Sequence, residues 1–246
     1  MNENIDLINR MCAITISREY GSGGGEIASR LAKRLGWYLI DHAIVERVAS
    51  EMGTNTQEAE AHDEYTEGVV TRILNSMLYL YPATLATAPP EAFLLDEDYR
   101  SAVDRIVRAA AARGHVVIVG RASQVILAKP RDVLHVRIIA PFEKRVAYVM
   151  QREGINHHAA ESRIHMKDRD RARYLQMEYN QKPDDAHLYD IVLNTSLLDL
   201  ESAVEVICFT LQQKAKGLAT KTGELGPALG LSQYPGQPED FGTLAR

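Results

Sequence analysis

Ile14-Thr15-Ile16-Ser17-Arg18-Glu19-Tyr20-Gly21-Ser22-Gly23-Gly24-Gly25-Glu26-Ile27-Ala28 is the stretch on which the reading of the fold turns. Ala13 to Ser17 is short, β-branched and apolar, the pattern of a buried strand. Gly21 to Gly25 break it. From Glu26 the pattern becomes helical, with Ile27, Leu31 and Leu35 at i, i+4 and i+8 and Gly36 as a stop. A strand that runs through a glycine turn into a helix suits an anion. The first helical N–H groups lack intrahelical partners, the helix dipole makes that end positive, and glycines let several N–H groups converge. Gly21, Ser22, Gly23, Gly24 and Gly25 are therefore the candidate phosphate cradle.

Outward from this turn, apolar strands alternate with amphipathic helices. Trp37 to Asp41 reads as a second strand, Val116 to Val119 as a third, Val133 to Ile139 as a fourth and Asp190 to Asn194 as a fifth. Helical patterns fill 42–52, 56–82, 99–113, 123–128, 142–153, 159–179 and 200–214, while 83–97, with Pro89-Pro90, reads as an irregular excursion. Continuous apolar strands between helices predict an α/β fold: a parallel sheet covered by helices on both faces.

The chain has 246 residues, 46% hydrophobic and 25% charged, a balance that predicts a buried core rather than disorder. A domain is expected over 1–216. The segment 217–246, with three prolines and many glycines, is expected to be a flexible tail. The net charge of -5 supplies no global field for nucleic acid, so no nucleic-acid partner is expected. No run is long and apolar enough for a membrane span, and the N-terminal residues do not read as a signal peptide, so the expected location is cytoplasmic. Cys12 and Cys208 fit reduced thiols better than a disulfide framework. The eight histidines show no metal-ligand spacing.

The usual phosphate-binding loop reads G-x-x-x-x-G-K-[ST]. With Gly23 on its second glycine, Arg18 takes the place of the first glycine and Gly24 that of the lysine; the hydroxyl falls at Gly25 or Glu26. The quoted stretch nonetheless closely resembles the opening segment of the cytidylate kinase-like family, which departs from the ordinary loop in this same way. Tyr38 to Asp41 resembles its second strand and Val117 to Arg121 its central strand and arginine. Asp168 to Tyr174 resembles its lid helix and Tyr189 to Ser196 its last strand, for a likeness over roughly 11–214. The resemblance implies a P-loop kinase-like three-layer architecture with a helical lid at about 155–180. It also implies ATP-dependent phosphorylation of CMP or a related monophosphate, with ATP and Mg²⁺ as cofactors.

Phosphoryl transfer depends on positioning and on positive charge around the transferring group. The candidates are Arg18 at the mouth of the turn, Arg121 after the third strand, and Lys167, Arg171 and Arg173 on the lid. Arg121 is the candidate for the acceptor phosphate, since ligands of open α/β sheets gather at the strand ends. Asp41 is a candidate to orient the acceptor, or equally a helix N-cap. Ser22 is a candidate magnesium ligand. A protein that keeps the fold to sense nucleotide or phosphate, without transfer, is the alternative, as is a kinase of another small molecule.

Overall fold

A computed structural model describes residues 7–53, 64–80 and 96–226. The described residues form a five-stranded parallel sheet flanked by helices. β1 (Ala13–Arg18) leads through the glycine turn into α1 (Gly24–Leu35). Then come β2 (Tyr38–Ile40), α2 (His42–Gly53), α3 (Glu64–Leu80), α4 (Asp96–Arg113), β3 (Val116–Val119) and the short α5 (Ser123–Ile126). β4 (Val133–Ile139), α6 (Phe142–Glu153), α7 (His157–Tyr179), β5 (Ile191–Asn194) and α8 (Leu200–Gly217) complete the order. The strands lie in the order β2-β3-β1-β4-β5, every pairing parallel. Residues 54–63 and 81–95 are outside the described residues, and with them the start of the helix expected over 56–82 and nearly all of the excursion expected over 83–97. The segment 227–246 also lies outside.

Side chains alternate across the pleat, and this sorts the core into two halves. Ile14, Ile16, Val117, Val119, Leu134, Val136 and Ile138 pack under α1 and α8, against Leu31, Val204, Ile207 and Leu211. Ala13, Val116, Ile118 and Val133 face the other way, under α2, α3 and α4, against Val45, Val69, Ile73, Val103 and Ile106. Cys208 packs in the first layer and Cys12 against the second, both as free thiols.

The second face is not apolar throughout. Where β1 pairs with β4, Thr15 lies opposite His135 and Ser17 opposite Arg137. Thr15 Oγ1 and His135 Nδ1 are 2.8 Å apart in a buried hydrogen bond, and Arg137 Nη1 donates to Ser17 Oγ at 3.2 Å. Thus β4, expected as an apolar run, carries two polar side chains on one face. There the sheet is not sealed by an apolar helix face, and a cleft begins.

Two boundaries differ from expectation. Helix α1 starts at Gly24, inside the glycine turn, so the turn is itself the helix N-terminus. After α8 the chain does not loosen at once: Arg131 Nη2 donates to the carbonyls of Gly217 at 2.6 Å and Thr220 at 2.9 Å. Residues 218–226 are thereby tied to the domain through an arginine about ninety positions away, which their composition does not announce.

Candidate phosphate-binding cleft

The glycine turn is clamped from three sides. Gly21 and Gly23 have φ of +83° and +79°, a region L side chains rarely adopt. A Cβ on Gly21 would lie 2.9 Å from the Arg145 carbonyl, and one on Gly23 2.7 Å from a Leu200 methyl. Gly23 is the N-cap of α1 and supplies no side-chain cap, so the first amides of the helix stay open to an anion. Ser22 is 3% exposed and its hydroxyl donates to the carbonyls of Glu19 (2.9 Å) and Ile138 (3.2 Å). That hydroxyl locks the turn onto β4.

Beside the turn, a cavity of about 420 Å³ opens at the C-terminal ends of the strands, under α7. Five arginines line it: Arg18 from β1, Arg121 after β3, Arg137 from β4, and Arg169 and Arg171 from α7. Arg121 is placed by an unusual backbone. Gly120, Arg121 and Ala122 have φ of +77°, +55° and +51° in succession. Two non-glycine residues in that region cost on the order of 1 kcal/mol each or more, a strain found where a side chain must be aimed. The run turns Arg121 toward α2, where its Nη2 lies 2.7 Å from Glu46 Oε1 and 2.5 Å from His42 Nδ1. The Tyr99 hydroxyl donates to the same Glu46 oxygen at 2.7 Å. Burial would raise the Glu46 carboxyl, but Tyr99, His42 and Arg121 together hold it below the usual range.

The lid is docked. Asp168 of α7 accepts from the Tyr20 amide at 2.7 Å and from Arg145 Nη1 at 2.5 Å, and Arg145 also donates to the Tyr20 carbonyl. Arg171 donates to the Arg18 carbonyl at 3.2 Å and lies over the Tyr20 ring. Ala160 and Ile164 pack on Val146 and Val149 of α6, which fixes the face α7 presents to the cleft.

The structure brings Arg18, Arg121 and Arg171 together and leaves Lys167 and Arg173 outside. Lys167 is exposed on the side of Glu153, whose carboxyl it helps to lower, and Arg173 points its Nε at Met177. Asp41 caps α2, accepting from the Ile44 amide at 3.1 Å, while its charge still reaches Arg18. Arg137, Arg145, His42 and Glu46 were not among the sequence candidates, and Asp168 and Arg169 entered only as members of the lid segment. For Arg137 a signal existed: His135 and Arg137, two apart in an otherwise apolar strand, share one face of the sheet.

For Mg²⁺, the turn contributes little. The Ser22 hydroxyl is committed as above, Glu26 pairs with Arg30 and Arg152 (both 3.3 Å), and Glu19 accepts from the Ala140 amide at 3.0 Å. Among the described residues, no group of three or more His, Cys, Asp or Glu is placed to hold a metal. The side chains present therefore do not fit as a protein cradle for the ion. Among the same residues, no helix is long and apolar enough to cross a membrane.

A parallel sheet with a glycine turn entering α1, and an arginine-lined cleft under a helical lid, is a kinase-like α/β fold with a site suited to phosphate. The chain belongs to the cytidylate kinase-like family, whose sequence model matches residues 13–197. It is 26% identical over 198 residues to a cytidylate kinase of Ignicoccus hospitalis, covering 80% of this chain and 97% of that one. It is 32% identical over 98 residues to a uronate isomerase of Corynebacterium glutamicum, a match that takes in 40% of this chain and 19% of the length of that relative. Among solved structures, a protein of Eubacterium ventriosum shares the fold with a TM-score of 0.59 at 22% identity, over 82% of this chain and 99% of that one.

Proposed function

We propose that the protein is an ATP-dependent nucleoside monophosphate kinase acting on CMP or a related monophosphate. The observation that carries this reading is the convergence of five arginines, from four separate segments of the chain, on one cavity beside the open N-terminus of α1. A cavity of about 420 Å³ falls within the ordinary range of small-ligand sites, roughly 300–1,000 Å³. Guanidinium groups grip phosphate bidentately, and positive charge around the transferring group is the main catalytic need of phosphoryl transfer.

The donor triphosphate lies along the amides of Gly21 to Gly25 and meets Arg18. Arg121 takes the acceptor phosphate, for which it must exchange Glu46. Arg171, with Arg169, closes from the lid and excludes water. Asp41 serves by capping α2, which carries His42 and Glu46 to the acceptor side. In this reading Mg²⁺ would be carried by the ATP phosphates, whose charge it would help to neutralise, rather than by side chains of this chain. The catalytic unit is 1–216 with its lid at about 155–180, and 227–246 is dispensable for transfer.

A second reading is favoured by one specific feature. Gly24 stands where a lysine would, and Glu26 turns away to ion-pair. A protein so altered can bind nucleotide as a sensor without transferring phosphate. The deciding experiment is an ADP-formation assay against a panel of nucleoside monophosphates and small alcohols, with ATP and Mg²⁺. Turnover that selects CMP or a neighbouring monophosphate supports the kinase. Nucleotide binding with no ADP formed on any acceptor establishes the sensor instead.

A further inference from the structure

Gly24 has an ordinary helical backbone, so nothing in its own conformation requires glycine. What excludes a side chain there is Arg18. A Cβ on Gly24 would sit 2.6 Å from Arg18 Cβ, a contact that packed atoms do not make, and a tight 3.1 Å from its Cγ. At the far end of the same side chain, Arg18 Nη1 lies 2.3 Å from where a Cβ of Gly120 would be. Arg18 thus runs from the end of β1 across the first turn of α1 and lays its guanidinium on the backbone of Gly120. Two glycines frame it, one at each end.

The charges around Arg18 point to a missing partner. Arg121 has Glu46 at 2.7 Å, Arg137 has Asp184 at 2.8 Å and Arg171 has Asp168 at 3.7 Å. Among the described residues, no carboxylate lies within ion-pair distance of Arg18. Burial lowers its pKa to about 9, Arg171 and Arg121 push the same way, and Asp41 opposes them. A cation desolvated beside two others, on a side chain that passes the open N-terminus of α1, is arranged for an anion that the chain itself does not supply.

We infer that Arg18 occupies both the space and the role of the missing loop lysine, gripping the terminal phosphates of the donor from the opposite side of the turn. Gly24 is glycine because Arg18 fills the volume through which a lysine would leave. The inference rests on the reading of the cleft as a triphosphate site and adds which side chain replaces the lysine. It also makes the exchange reversible in principle: removing the arginine should make room for a lysine at the usual place.

The test uses the full chain, calorimetric titration with ATP and with inorganic tripolyphosphate, and a urea midpoint for every variant. Arg18→Gln should bind both ligands about tenfold or more weaker, since a charge-assisted contact is lost. Its urea midpoint should hold or rise, because an unpaired cation has been removed. Gly24→Lys alone should lower the midpoint and gain no affinity. Arg18→Gly/Gly24→Lys should bind at least tenfold tighter than Arg18→Gly. Unchanged tripolyphosphate affinity in Arg18→Gln overturns the inference and leaves the triphosphate site standing. So does a Gly24→Lys variant that keeps its midpoint and binds more tightly with Arg18 in place, or a folded double variant no better than Arg18→Gly. Wild-type protein that binds neither ligand overturns the triphosphate reading and the inference together. If the double variant does not fold, the two single variants decide on the same criteria.

Discussion

Replacing Arg121 by glycine separates the two things the residue does. Its φ of +55° costs an ordinary side chain roughly 1–2 kcal/mol, and glycine relieves that. The ion pair with Glu46 is lost, but that carboxylate is half exposed, and such pairs are worth about 0.2–1 kcal/mol. The two terms nearly cancel, so Arg121→Gly should leave stability within about 1 kcal/mol of wild type. Arg121→Ala gains no such relief and should be about 1 kcal/mol less stable than the glycine variant. Both lose the acceptor contact. Loss of a charged donor to a transferring or flanking oxyanion typically costs about 3 kcal/mol, about a hundredfold in rate. The assay pairs urea midpoints with turnover on the best monophosphate, for wild type and both variants. If either variant is destabilised by several kcal/mol while its folded fraction turns over normally, Arg121 is a structural residue and the acceptor assignment fails.

Four further outcomes follow from the cleft. Nucleotide affinity should weaken as pH rises through about 9, by up to tenfold per unit, because the free protein's depressed Arg18 must carry its proton to bind; Arg18→Gln should flatten that profile. The same shift makes folding stability rise with pH above about 9, since there the folded chain has released the proton and the unfolded one still binds it; a midpoint that falls above pH 9 in wild type relative to Arg18→Gln contradicts it. Asp168→Asn leaves Arg145 without its 2.5 Å partner, at a cost of about 1–2 kcal/mol after discounting for a carboxylate that is partly exposed, and should speed limited proteolysis within α7; an unchanged urea midpoint and cleavage pattern would show that the lid is held elsewhere. Gly120→Ala adds a methyl against Arg18 Nη1 without removing the charge, so tripolyphosphate affinity should drop several-fold while net charge is unchanged; wild-type affinity would mean that the seat of the guanidinium is unimportant.

The fold was legible because its determinants are local. The glycine turn, the β-branched strands and the stops at Gly36 and Gly114 each state their own structure, and the parallel sheet follows from their order. The cleft was legible only in part. Arg18 and Arg121 could be read because each adjoins a recognisable strand end. On the lid, Lys167, Arg171 and Arg173 were candidates by charge alone, without an anchor for the helix rotation. Ile164 and Leu175 supply that anchor: Asp168 and Arg171 fall between them at i+4 and i+7, whereas Arg173 lies about 200° round the helix from Leu175. Asp168 and Arg145 were hidden for a different reason. They act as a pair across two helices, meeting at the Tyr20 backbone from positions well over a hundred residues away, and no spacing rule encodes such a contact. Likewise the strained Gly120-Arg121-Ala122 run shows in the sequence only its glycine.

The central claim is that one cleft holds two phosphorylated ligands on different arginines, and thermal denaturation with each ligand tests it most directly. At a hundred times its dissociation constant, a ligand that binds only the folded state adds about 2.7 kcal/mol, or roughly 5–10 °C in a chain of this size. The expected result is a rise in Tm with ATP and Mg²⁺ and a separate rise with CMP or another monophosphate. Arg121→Ala should abolish the second rise and spare the first. No shift in wild-type protein at millimolar concentrations of either ligand, or an Arg121→Ala variant that loses neither, would contradict the account.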